Sequence, residues 1–389
     1  MRASSSPSTM HLWLPGMLAV LLGVGLARFS YTPLLPALVE QDWLNEREAA
    51  FAGAANLLGY LVGALAAQAL AYRPERIPIL NAALVAAAIS LAACAWPLGF
   101  AWITPWRFVA GVAGAFVMVL GPSTILAATP THSRARVSGL IFVGVGIGII
   151  ASGTLLPALS ALGLTVAWLS LGLAGFAITA ATWSLWPKAA LPIPATAVPI
   201  AGKVTIVLIV VAYATDGMGF VPHTLFLSDF VARGLGRGEF AGGFFWAVFG
   251  AGAVVGAPIC GLVASRIGLR AAFVGALAVK AAAVALPLVS TGNISLAVSA
   301  FIVGALTPGM VAIAAGLTTL LAQGPAQARL FGTLTIAFAL AQAAGGYAMS
   351  WLFARSQDHM ILFAAGAFVL AFGALCAAIA SSRMRRNAS

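Results

Sequence analysis

The sequence predicts an all-α membrane protein in which twelve transmembrane helices form two pseudo-symmetric six-helix bundles. Three observations carry that fold class. First, 62% of the 389 residues are hydrophobic and only 7% are Lys, Arg, Asp or Glu, against roughly 25% charged in an average soluble domain. So few charges cannot cover a soluble fold of this size, which excludes a cytosolic enzyme, a disordered regulator and a nucleic-acid-binding domain. Second, the apolar residues gather in twelve runs of membrane-spanning length. Third, the two halves of the chain resemble each other.

The runs cover residues 12–38, 49–71, 77–97, 102–128, 137–158, 165–186, 204–227, 240–264, 271–289, 294–321, 330–353 and 360–380. Each can cross a bilayer at about 1.5 Å per residue. None alternates with period 2, and in lipid every backbone polar group needs an internal partner, so the runs read as a helical bundle. The first run follows a Ser-rich tail and continues past Arg28 to Leu38. It therefore reads as a span, although Gly25-Leu26-Ala27 offers small residues at the spacing of a signal-peptide cleavage site. After the sixth run, Pro- and Ala-rich residues 187–203 read as a linker. The expected organisation is a tail 1–11, a bundle 12–186, the linker 187–203, a second bundle 204–380 and a tail 381–389. The fourth-to-fifth junction appears twice: Gly121-Pro-Ser-Thr-Ile-Leu-Ala-Ala-Thr-Pro130 resembles Gly316-Leu-Thr-Thr-Leu-Leu-Ala-Gln-Gly-Pro325. A parallel repeat of six helices is a layout used by secondary transporters.

Charge sets the expected orientation, because Lys and Arg collect in cytoplasmic loops. With the N-terminus inside, the inner segments hold 13 basic residues and one acid, Glu75. The outer loops hold four basic residues (Arg47, Arg233, Arg237 and Arg355) and seven acids, among them Glu46, Asp229 and Glu239. Both termini are expected to be cytoplasmic. Cys94, Cys260 and Cys376 fall inside apolar runs, and His11, His132, His223 and His359 are scattered. No metal site, cofactor or nucleotide-binding loop is expected.

Residues Gly261-Leu-Val-Ala-Ser265-Arg266-Ile-Gly268-Leu-Arg270 lie between the eighth and ninth runs. They resemble the signature loop of the major facilitator superfamily, and Arg107-x-x-x-Gly111 resembles its second motif. The first-half counterpart of the loop keeps Arg73 and Arg76 but lacks the Asp-Arg-x-Gly core. A narrower resemblance runs through Gly25-Leu-Ala-Arg28-Phe-Ser-Tyr31-Thr-Pro-Leu-Leu-Pro36 and Gly53-Ala-Ala-Asn56-Leu-Leu-Gly59-Tyr60, which look like the YbfB-like subgroup. The resemblance implies an inner-membrane transporter in which Gly261, Ser265, Arg266, Gly268 and Arg270 latch the two halves in one conformation. The glycine row Gly139, Gly144, Gly146, Gly148 and Gly153 is similar to the family's antiporter motif but lacks its Gly-Pro pair.

Four residues of the Asp, Glu, Lys and Arg set fall inside the runs: Arg28, Arg107, Asp216 and Lys280. A charge at that depth costs at least roughly 2.5–3.5 kcal/mol, which marks each as a functional candidate. None has a charged counterpart in the other half. Arg28 and Tyr31, at i and i+3, are expected to share a face and bind an anionic or carbonyl-bearing substrate. Asn56, Tyr60, Trp246 and Gln342 complete the expected cavity. Asp216 and His223 share a helix face, and with Arg107 they are the proton-coupling candidates. Asp216 is expected to pair with Arg28 until an anion competes for it. Lys280, on the third helix of its unit, is expected at the periphery, snorkelling or paired with a neighbour. The function expected is alternating-access transport of a small organic anion by a monomer, coupled to protons. A proton-driven exporter is the alternative, and a membrane-embedded enzyme or a channel are the rivals from other classes.

Overall fold

A computed structural model describes residues 13–70, 73, 75–130, 133–188, 202–322 and 325–386. The N-terminal tail, His11, His132, most of the expected linker and residues 387–389 lie outside the described residues. Among the described residues, twelve helices are long and apolar enough to span a bilayer: α1 (Trp13–Glu40), α2 (Glu46–Leu70), α3 (Arg76–Ala93), α4 (Phe100–Ala128), α5 (Arg136–Ala161), α6 (Leu164–Thr182), α7 (Lys203–Gly234), α8 (Gly238–Ile267), α9 (Leu269–Val289), α10 (Asn293–Leu321), α11 (Arg329–Ser356) and α12 (His359–Met384). An even number of crossings puts the start of α1 and the end of α12 on one side, here the terminal side; the other is the far side.

The expected runs all become helices, and the repeated Gly-to-Pro segments do mark the α4–α5 and α10–α11 junctions. One boundary needs correction. The seventh run, expected to stop at residue 227, continues to Gly234 and carries Asp229 and Arg233 inside the helix. The two are one turn apart and ion-paired, so the helix need not end where they begin.

Small residues decide which helices touch. Gly59 and Gly63 of α2 face the backbone of Phe108 and Val112 on α4, and Gly111 faces the backbone of Asn56. The second half repeats the arrangement: Gly252 and Gly256 of α8 face the backbone of Phe301 and Ala305 on α10, and Gly304 faces Phe249. Both are small-xxx-small pairs, which let backbones approach where lipid supplies no hydrophobic drive. The glycine row of α5 serves two partners. Gly144 and Gly148 face Met17 and Gly25 of α1, whereas Gly146 and Gly153 face Gly250 and Gly243 of α8; Gly139 meets open space. The α5–α8 and α2–α11 pairs join the halves.

Candidate functional site

The first helix of each half is broken near mid-membrane. In α1 a helix from Trp13 to Val20 passes into a π-helical turn, Leu21–Leu26, and an α-helix resumes at Tyr31. In α7 the helix stops at Gly219, and a π-helical turn spans Pro222–Phe226. A break frees backbone carbonyls, which in lipid must find donors. Arg107 supplies them for α1. Its Nη1 donates to the Ala27 carbonyl at 2.8 Å and its Nη2 to the Arg28 carbonyl at 3.2 Å. Its guanidinium lies 4.6 Å from the centre of the Tyr31 ring. Asn56 Nδ2 in turn donates to the Arg107 carbonyl at 2.9 Å. Arg107 thus splints α1, and no carboxylate pairs with it among the described residues.

The break turns Arg28 toward the other half. Its Nη2 donates to Gln342 Oε1 of α11 at 2.5 Å, and its guanidinium sits 4.5 Å from the centre of the Tyr60 ring. Arg28 Nε, Gln342 Nε2 and Asn56 Oδ1 are buried without a partner among the described residues. A small cavity beside them is lined by Arg28, Tyr31, Thr32, Asn56, Thr224 and Leu225 among others. Trp246 lies against Phe29, which lines the cavity. It stacks on Phe249, meets Phe29 edge-on at 5.8 Å and donates Nε1–H to Ser152 Oγ at 3.2 Å. Orphaned donors next to an acceptor, at the boundary of the halves, are what a polar ligand would satisfy.

The Tyr31 hydroxyl donates to the Ala49 carbonyl at 2.7 Å, tying α1 to α2, and Tyr31 lines the same cavity as Arg28. Two expectations are corrected here. Asp216 does not pair with Arg28. Lys280 Nζ donates to Asp216 Oδ1 at 2.7 Å, and the ammonium sits 4.4 Å from the centre of the Phe220 ring. Asp216 and Lys280 are 1% and 0% exposed, so Lys280 is interior and not peripheral. Asp216 Oδ2 has no partner among the described residues. His223, beyond the α7 break, is also fully buried. Ser299 Oγ donates to the Ala283 carbonyl at 2.6 Å, so its lone pair accepts from His223 Nε2–H at 2.8 Å. That assigns the tautomer and leaves Nδ1 as an unpartnered acceptor.

The chain matches the family model described as "Uncharacterised MFS-type transporter YbfB" over residues 20–378. The chain belongs to this family of the major facilitator superfamily. It is accordingly a multi-pass membrane protein from a class of secondary transporters. No curated protein matches its sequence. Its fold is similar to that of a D-xylose–proton symporter, at 15% identity and a TM-score of 0.73 over 96% of each chain. It is also similar to a bacterial homologue of the human lysosomal transporter Spinster in an inward-facing, unoccupied conformation, at 15% identity and a TM-score of 0.71 over 98% of each chain.

Residues 261–270, which resemble the signature loop, make no side-chain hydrogen bond or ion pair to another helix among the described residues. Gly268, at φ +84°, turns the chain from α8 into α9; Gly adopts that backbone region without strain. Ser265 Oγ donates to Leu262 of its own helix, Gly261 meets open space, and neither Arg266 nor Arg270 makes a hydrogen bond or ion pair with a described residue. The polar contacts that do cross between the halves lie at mid-membrane or toward the far side: Arg28–Gln342, Trp246–Ser152, the Thr32 hydroxyl to the Thr224 carbonyl, Ser350 to the Ala50 carbonyl, Ser160–Glu239 and Arg233–Glu46. These contacts tie the halves together at mid-membrane and at the far side. Sequence reasoning missed Asp229, which was placed in a loop and is buried at 0% exposure. The Asp229–Arg233 spacing of four was the available signal; the second partner of Asp229, His359, lies 130 residues away.

Proposed function

We propose that this chain transports a small organic anion across the inner membrane by alternating access, with proton coupling through Asp216 and both termini in the cytoplasm. The observation that carries the reading is Arg28: a buried guanidinium on one half, held by a single amide oxygen of the other, with an Nε donor unused. The Gln342 oxygen occupies the place a substrate oxygen would take. A carboxylate offers two oxygens and a full charge, and so displaces a neutral amide from Arg28. Phe29 and Tyr60 lie against the guanidinium, with Trp246 edge-on to Phe29, a common makeup of small-molecule sites. Loss of the Arg28–Gln342 contact frees α1 from α11, which is a step toward rearranging the halves.

Coupling follows from the C-terminal half. Asp216 and Lys280 neutralise each other while the pair is intact. Taking a proton on Asp216 would dissolve it and leave the ammonium to Phe220. The Thr32 hydroxyl bound to the Thr224 carbonyl links the helix resumed after the α1 break to the broken segment of α7, giving substrate at Arg28 a mechanical route to the helix that carries Asp216. The signature loop, with Arg266 and Ser265, would engage when the terminal side closes.

A thermal-shift screen of the purified protein against small carboxylates, amines and sugars tests the substrate class. A ligand that binds the folded state raises apparent stability by mass action. Stabilisation confined to amines or sugars would overturn the anion reading. The orientation rests on the 13-to-4 bias of basic residues. It is checked by single-cysteine labelling at Lys188 in intact cells, with Cys94, Cys260 and Cys376 replaced. Position 188 is expected to resist an impermeant thiol reagent until the cells are opened.

A further inference from the structure

Arg233, near the end of α7, divides its nitrogens between two carboxylates on different halves. Nε and Nη2 donate to Asp229, one turn earlier on the same helix, the Nη2 bond measuring 2.7 Å. Nη1 reaches across to Glu46 Oε1, in the first turn of α2, at 2.6 Å. Asp229 accepts a further bond from His359 Nε2 at the start of α12, 2.8 Å away. The rings of Phe230 and Phe353 close around His359. Asp229, Arg233 and His359 therefore form one assembled unit within the C-terminal half. Glu46, with 39% of its side chain exposed, is the partner supplied by the other half. Among the described residues, Arg233–Glu46 is the one ion pair that joins the halves.

The energetics of the two arms differ. The Asp229 arm is bidentate and buried, so separating it would strand a charge. The Glu46 arm is a single contact at a solvated edge. When released, Glu46 returns to water at a helix N-terminus, where a negative charge is favoured. Arg233 stays neutralised by Asp229 meanwhile. One arm is thus built to persist and the other to be made and broken at little cost, which is what a reversible closure requires.

We propose that Glu46 and Arg233 are the far-side latch of the transport cycle: paired while the far side is closed, and separated when it opens, with Asp229 and His359 holding Arg233 in position throughout. This goes beyond the substrate and coupling assignments and depends on neither.

Double electron–electron resonance tests it without a known substrate. Spin labels are placed through Leu162→Cys and Ile294→Cys, exposed residues at the far-side ends of the two halves, with the three native cysteines replaced. Glu46→Ala should raise the long-distance, far-side-open population about two- to five-fold, the range for loss of one partly exposed ion pair. Glu46→Lys, which sets a cation against Arg233, should raise it further. Glu48→Gln neutralises a neighbouring acid that bonds only to its own helix cap at Asn45, and should leave the distribution unchanged. An unchanged distribution in Glu46→Ala overturns the latch. So does an equal shift in Glu48→Gln, which would mean that general far-side charge, and not this pair, sets the balance.

Discussion

Asp216→Asn is expected to lower the stability of the purified protein by about 3–5 kcal/mol, because it leaves the fully buried Lys280 ammonium without a counter-charge. The measurement is the loss of apparent melting temperature in detergent. Lys280→Met in the same chain removes the stranded charge and keeps most of the side-chain volume. The double variant should therefore recover most of that stability, as apolar replacements of buried ion pairs commonly do. The double variant then separates structure from coupling. If Asp216 carries the proton, it should exchange labelled for unlabelled substrate but fail to accumulate substrate when a pH gradient is imposed. Gradient-driven accumulation at wild-type level in the folded double variant would remove Asp216 from the coupling mechanism.

Arg28→Ala is expected to weaken anion binding about 10-fold or more, from the loss of a charged hydrogen bond worth roughly 1.5–3 kcal/mol. Arg28→Lys should not restore it, since an ammonium lacks the planar fork and the face that lies on Tyr60. Gln342 supplies a control on the same contact. Gln342→Glu converts the amide oxygen into a permanent carboxylate against Arg28, so it should depress anion affinity much more than Gln342→Ala, which merely frees the guanidinium. Affinity for the ligand found by thermal shift, measured by titration calorimetry, checks all four. Wild-type affinity in Arg28→Ala would reduce the residue to a bridge between α1 and α11.

Legibility in the sequence followed the range of the interaction. Arg28, Arg107, Asp216 and Lys280 stood out because a charge in an apolar run is costly wherever its partner lies. Their partners did not stand out. Arg107 answers two carbonyls exposed by a break in a helix 80 residues earlier, and no spacing rule encodes that pairing. Asp229 was hidden by the opposite error, a helix ended two residues before its second acid. Its charge is tolerated at 0% exposure only because Arg233 and His359 both donate to it.

The sequence by itself determined the twelve spans, the two-fold repeat, the glycine positions and the family resemblance. The bilayer imposes length and hydropathy on each segment separately, so those properties can be read locally. Only the tertiary structure decided which charge meets which. Within the membrane a buried ion must be answered by whichever donor or acceptor the packing brings within about 3 Å. Lys280 lies on a helix expected at the periphery, yet it turns inward to Asp216; Arg28, left with no carboxylate, reaches Gln342 in the other half. Those choices depend on the breaks in α1 and α7 and on the glycine contacts that set helix spacing, none of which is a property of any one segment.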